Sequence, residues 1–143
     1  MRLLHENRSV DAFISESVVT IVVHARFETE YADPHVGFQI RNSMGEPIFM
    51  TNTHCMGIAV GPVRPNDEAS VSFEFRAAIA PGDYSITAGV ANDGLIEGQF
   101  REALSRIQDV RTFTVLRNVD SIIWSGVYNL APVCSVERRF ARS

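Results

Sequence analysis

From Val18 to Phe27 the apolar residues Val19, Ile21, Val23, Ala25 and Phe27 alternate with Thr20, Val22, His24 and Arg26. That period of two, rich in β-branched side chains, predicts a half-buried strand. Asp33-Pro34 marks a turn, after which Val36, Phe38 and Ile40 alternate with Gly37, Gln39 and Arg41. Residues 42–47 (Asn-Ser-Met-Gly-Glu-Pro) predict a hairpin loop returning along Ile48–Thr51. Residues 53–69 are polar and carry Gly61-Pro62 and Pro65-Asn66-Asp67, the composition of a connection. Alternation resumes with Val71, Phe73, Phe75 and Ala77, and again after Pro81-Gly82 with Tyr84, Ile86, Ala88 and Val90. Asn92-Asp93-Gly94 ends that run. Residues 95–107 are the one predicted helix, a turn or two long, since Phe100, Leu104 and Ile107 recur at spacings of four and three. Thr112–Leu116 and Ile122–Leu130 are predicted as the last strands, and the tail from Ser135 is polar and expected to be loose.

Seven or eight short strands separated by turn signals imply an all-β fold, an antiparallel β-sandwich, and the absence of alternating βα units argues against a doubly wound sheet. Residues 1–143 are expected to form a single domain with its core at about 17–132. Pro81-Gly82-Asp83-Tyr84 places a tyrosine at the start of a late strand just after a corner. A tyrosine there can tie the turn back to the backbone, which favours an immunoglobulin-like topology; the other reading of Tyr84 is a plain core aromatic. Cys55 and Cys134 are expected to be free thiols, so the disulfide staple of antibody domains is absent.

Composition narrows the function. The formal charge is −4 and all thirteen basic residues are scattered arginines, so nothing points to nucleic acid. No segment approaches the apolar run of a membrane-spanning helix, and polar residues interrupt the N-terminus before any secretory core. The chain is therefore expected to be cytoplasmic, without direct membrane insertion. A phosphate-binding loop and a Gly-x-Ser-x-Gly elbow are both missing. His54 and Cys55 are adjacent, which suits opposite faces of a strand, and His24 stands alone, so no metal site and no cofactor are expected. Glu28, Glu30, Asp33, Asp93 and Glu97 could supply a glycosidase pair but fit solvated loops equally well; the chain is expected not to be an enzyme.

What remains is a polar strand face. Gln39 and Arg41, then Phe49 and Thr51 depending on hairpin register, then Ser85, Thr87, Gly89, Thr112 and Thr114 would share one outer sheet surface. Amide, guanidinium and hydroxyl groups beside an aromatic ring suit the hydroxyls and C–H faces of sugars. An ordinary solvated sheet face is the competing reading. The candidate carbohydrate-binding residues are Gln39, Arg41, Phe49, Thr51, Ser85, Thr87 and Thr112.

The run Val36-Gly37-Phe38-Gln39-Ile40-Arg41-Asn42, then Gly45, Pro47-Ile48-Phe49 and Thr51-Asn52-Thr53, resembles one family. It is the C-terminal carbohydrate-binding domain of the ATPase subunit of O-antigen ABC transporters, the Wzt type. Pro81-Gly82-Asp83-Tyr84 leading to Thr87–Ala91, residues 106–115, and Gly126–Leu130 agree in order, covering about residues 17 to 132. The resemblance implies an immunoglobulin-like sandwich that recognises the end of a lipid-linked O-antigen polysaccharide at the inner face of the inner membrane, for export by the transporter. It also implies a homodimer that exchanges its last strand, here Gly126–Leu130, and a partner ATPase domain. That domain is missing ahead of Met1, so the chain is either an excised piece or a free-standing relative. A structural or dimerisation domain docking a glycosyltransferase is the alternative. Asn52 and Thr51 lie in the motif but are as well suited to shaping the hairpin's end.

Overall fold

The alternating segments pair as their periodicity dictates. The computed structural model describes residues 1–94, 100–139 and 141, and for 93–94 and 100–110 it describes the backbone alone. Its strands are β1 (Arg2–His5), β2 (Arg8–Ser9), β3 (Ala12–Ile14), β4 (Val18–Arg26), β5 (Pro34–Asn42), β6 (Pro47–Asn52), β7 (Glu68–Arg76), β8 (Gly82–Gly94) and β9 (Phe100–Leu116). One sheet has the order β2-β1-β4-β7, the other β3-β9-β8-β5-β6. The strand pairs are antiparallel except β3 with β9, which run parallel. The N-terminal segment thus begins beside β4 and crosses to the other sheet to lie along the last strand. This is an immunoglobulin-like β-sandwich.

The inward rows are those the sequence marks. Val19, Ile21, Val23 and Ala25 of β4 face Val36, Phe38 and Ile40 of β5, with Ile86 of β8 and Phe113 and Val115 of β9 completing the buried layer. Phe38 sits at its centre, 4.9 Å from the Phe73 ring and stacked 5.9 Å from Phe75. The tyrosine corner is present: Tyr84 Oη donates to Ala80 O at 2.5 Å, closing the turn that precedes β8.

Three expectations change. Residues 100–107 are strand, not helix, and 95–99 lie outside the described residues. β9 pairs with β8 from Gly94↔Phe100 to Gly82↔Val115, so its backbone groups find ladder partners that a helix of one or two turns leaves largely unmade. The predicted strand Ile122–Leu130 is reduced to one bridge, Ile79↔Tyr128. Gly126 at φ 110° and Ala131 at φ 50° break the extended geometry on either side of it. Finally, β1 to β3 precede the expected core boundary. Each is at most four residues long, too short for a periodic signal, yet Leu3 and Phe13 are buried.

Candidate functional site

The outer face of the five-stranded sheet is set by register. Gln39 lies opposite Thr87, Arg41 opposite Ser85, and Gly37 opposite Gly89. Ser85 in turn lies opposite Thr112, and Asp83 opposite Thr114. Directly opposed residues share a face, so five of the seven candidates, Gln39, Arg41, Ser85, Thr87 and Thr112, stand together. Phe49 and Thr51 do not join them: they oppose Ile40 and Phe38, on the face turned to the other sheet. A bulge is the reason. Arg41 pairs with Pro47, but Ile40 pairs with Phe49, so Ile48 is skipped. Without that extra residue Phe49 would oppose Gln39 and Thr51 would oppose Gly37; one residue of slip exchanges the faces. Met50 and Asn52 take the outward places, opposite Gln39 and Gly37. Phe49 packs its ring 5.9 Å from that of Phe38.

Two depressions share this face. The larger, about 660 Å³, gathers Arg41, Ser85 and Thr112 with Asp11, Asp83 and Thr114. Thr114 Oγ1 donates to Asp83 Oδ1 at 2.7 Å, fixing one of its carboxylates. Its lining of hydroxyls, a guanidinium and two carboxylates can both donate to and accept from sugar hydroxyls. The second, about 480 Å³, lies over Gly37 and Gly89, with Gln39 and Thr87 towards one end, His35 and Ala91 towards the other, and Met50 and Cys55 along the β6 side. Arg41 Nε donates to Gln39 Oε1 at 3.1 Å, linking the two depressions.

Sequence reasoning missed His35, Met50 and Cys55. His35 is 5% exposed, with Nε2 2.9 Å from Asp33 Oδ1 and Nδ1 2.8 Å from Thr53 Oγ1. Val36 N–H also donates to Thr53 Oγ1 at 3.1 Å. One neutral tautomer satisfies the whole chain: Nε2–H donates to Asp33, Thr53 O–H donates to Nδ1, and the same hydroxyl oxygen accepts from Val36. The imidazole is therefore a braced wall. Asn52 Oδ1 accepts from Cys55 N–H at 2.7 Å and shapes the end of the hairpin, one of the two roles its motif position suggested. The signals for these residues were a lone histidine and a hairpin of undetermined register, neither of which marks a surface in one dimension.

Among the described residues no group of three or more His, Cys, Asp or Glu could hold a metal ion. No described helix is long and apolar enough to cross a membrane. The sandwich is similar to a crystal structure of the C-terminal domain of Wzt, with a TM-score of 0.80 at 17% identity, over 94% of this chain and 80% of that one. No curated protein sequence matches the chain. The family model of the Wzt C-terminal domain matches residues 1–130. The chain belongs to the Wzt C-terminal domain family.

Proposed function

We propose that this domain is a non-catalytic module that recognises the terminus of a lipid-linked O-antigen polysaccharide for export by an ABC transporter. The family match over residues 1–130 carries this reading, because the family is consistent with a carbohydrate-binding role in O-antigen transport. The outer face of the five-stranded sheet is the recognition surface. Its support is the gathering of Gln39, Arg41, Ser85, Thr87 and Thr112 around two adjoining depressions. The partners are the polysaccharide, the transporter's ATPase domain at the cytoplasmic face of the inner membrane, and a second copy of the chain.

The test is retention by O-polysaccharide from the source organism against unrelated polysaccharides, by affinity electrophoresis and calorimetry. Recognition on an open sheet face is expected to be weak, with Kd about 10–1000 μM, or about 4–7 kcal/mol. Arg41→Ala and Gln39→Ala are each expected to weaken retention at least about tenfold, equivalent to about 1.4 kcal/mol, with the circular dichroism spectrum unchanged. A folded protein that no polysaccharide retains would replace this reading with the assembly domain. Retention untouched by either substitution would move the site off this face.

A further inference from the structure

The groove over Gly37 and Gly89 differs in chemistry from the depression beside it. Two glycines directly opposed across β5 and β8 leave the floor without side chains. An added Cβ at Gly37 would come within 2.6 Å of both Asn52 Cβ and Thr51 O, so glycine is required where β6 approaches. The polar side chains around that floor have partners inside the protein: His35 is held by Asp33 and Thr53, Asn52 by the Cys55 amide, and Gln39 Oε1 by Arg41. What the described lining offers an occupant is the Met50 side chain, 60% exposed, together with alanine methyls and glycine Cα–H groups. A hydroxyl turned into this groove would give up water and meet engaged partners, at a desolvation cost. A methyl group would gain contact with the flexible thioether and the bare floor.

We propose that this groove takes a methyl-bearing sugar unit, its methyl directed at Met50 and the glycine floor, while hydroxylated parts of the ligand lie over the Arg41 depression. The inference rests on the carbohydrate-binding reading and assigns it a substrate class. The methyl has two chemical sources, the C5 carbon of a 6-deoxyhexose or a methyl ether.

Cys55 makes the test local. Its thiol is exposed and lines the groove, whereas Cys134, also exposed, lies in the C-terminal segment and does not. The full chain is alkylated with iodoacetamide and the two cysteines are followed by peptide mass spectrometry. L-Fucose and L-rhamnose are compared with their 6-hydroxy counterparts L-galactose and L-mannose, and 3-O-methylglucose with glucose. At a sugar concentration near twice its Kd, a protecting sugar slows Cys55 about threefold, and Cys134 keeps its rate. Protection by the 6-deoxy sugars alone assigns the groove to a C5 methyl; protection by 3-O-methylglucose as well assigns it to a methyl of either origin. Met50→Gln, a surface change, is expected to erase the preference while the protein stays folded. Equal protection by hydroxylated and methyl-bearing sugars overturns the proposal, as does protection by none of them up to ~0.5 M, where even very weak sites fill. Retention of the native polysaccharide is measured in parallel: if it persists while the methyl preference fails, the substrate class is wrong and the binding module stands. If retention itself fails, the function is wrong.

Discussion

Tyr84 shows what one side chain contributes where two sheets meet. Its ring stacks 5.4 Å from Phe113 in the core while its hydroxyl reaches Ala80 O, four residues back. The corner therefore fixes both the turn at Pro81-Gly82 and the first residue of β8, and so the register of Ser85 and Thr87 on the opposite face. Tyr84→Phe keeps the ring and removes one hydrogen bond, leaving the Ala80 carbonyl a partner short. The expected loss is about 0.5–1.5 kcal/mol, read as a lower urea midpoint with unchanged slope. Burial, then the nearby Tyr128, pushes the Tyr84 phenol above its usual pKa of 10.0. A folded value above the unfolded one means that the stabilisation is complete below pH 10. It is lost as the pH rises from there through the raised folded value, and Tyr84→Phe is expected to blunt that loss.

At the scale of elements, the strands that sequence patterning located are those with one face buried over five or more residues. β4, β5 and β7, the proximal half of β8 and the distal end of β9 each carry alternation strong enough to name the inward row: Val36, Phe38 and Ile40 were identified before any pairing was known. β1 to β3 gave no such signal because they are short. Residues 100–107 gave a false one, since three apolar residues at helical spacing also occur by chance on a strand. The face of the site was legible to the same degree. Five candidates come from strands whose alternation fixes the outward row, whereas Phe49 and Thr51 come from β6, whose register hangs on a single skipped residue at Ile48. The connection between β3 and β4 was invisible in sequence. There Ser15 Oγ donates to Ile79 O at 2.6 Å, and Glu16, at φ 79°, turns its carboxylate to the C-terminal segment. That carboxylate accepts from Ser121 Oγ at 3.1 Å, from Asn118 Nδ2 at 2.9 Å and from Asn129 Nδ2. The Ser121 hydrogen bond, followed by those of Asn129 and Asn118 and by the charge of Arg76, holds Glu16 below its usual pKa of 4.5, against an opposing effect of burial. A lowered folded value means that the clasp is fully engaged above pH 4.5 and released as the pH falls through the folded value. Hydrogen exchange in residues 117–131 is expected to accelerate over that acid range, and Glu16→Ala should give the fast rate at neutral pH. Equal exchange in variant and wild type would mean that the clasp does not hold the segment.

The whole molecule must account for its C-terminal segment. After β9 the chain lies along residues 78–80 through only two backbone hydrogen bonds, Ala80 N–H to Val127 O at 2.9 Å and Asn129 N–H to Ala78 O at 2.8 Å. Beyond them Ile123, Leu130, Val133 and Val136 stand open to solvent, each at least 80% exposed. So much apolar surface on one terminal stretch is costly in isolation and suits burial against a second copy. An exchanged segment would keep the bonds to residues 78–80 and the Glu16 clasp but draw them from the partner protomer, the low-cost route by which a terminal element makes a dimer. Under this arrangement the full chain is a dimer by light scattering at micromolar concentration. Deleting residues 121–143 strips both protomers of the two backbone bonds and of half-buried Trp124. A loss of about 2 kcal/mol follows from the hydrogen bonds alone, and a Tm lower by about 5–10 °C. A deletion variant that is a monomer with the full-length Tm would show that the segment neither completes the fold nor exchanges. A full chain that is already monomeric would leave the exposed apolar stretch to the ATPase side of the transporter, which co-purification of the two domains, with and without residues 121–143, resolves.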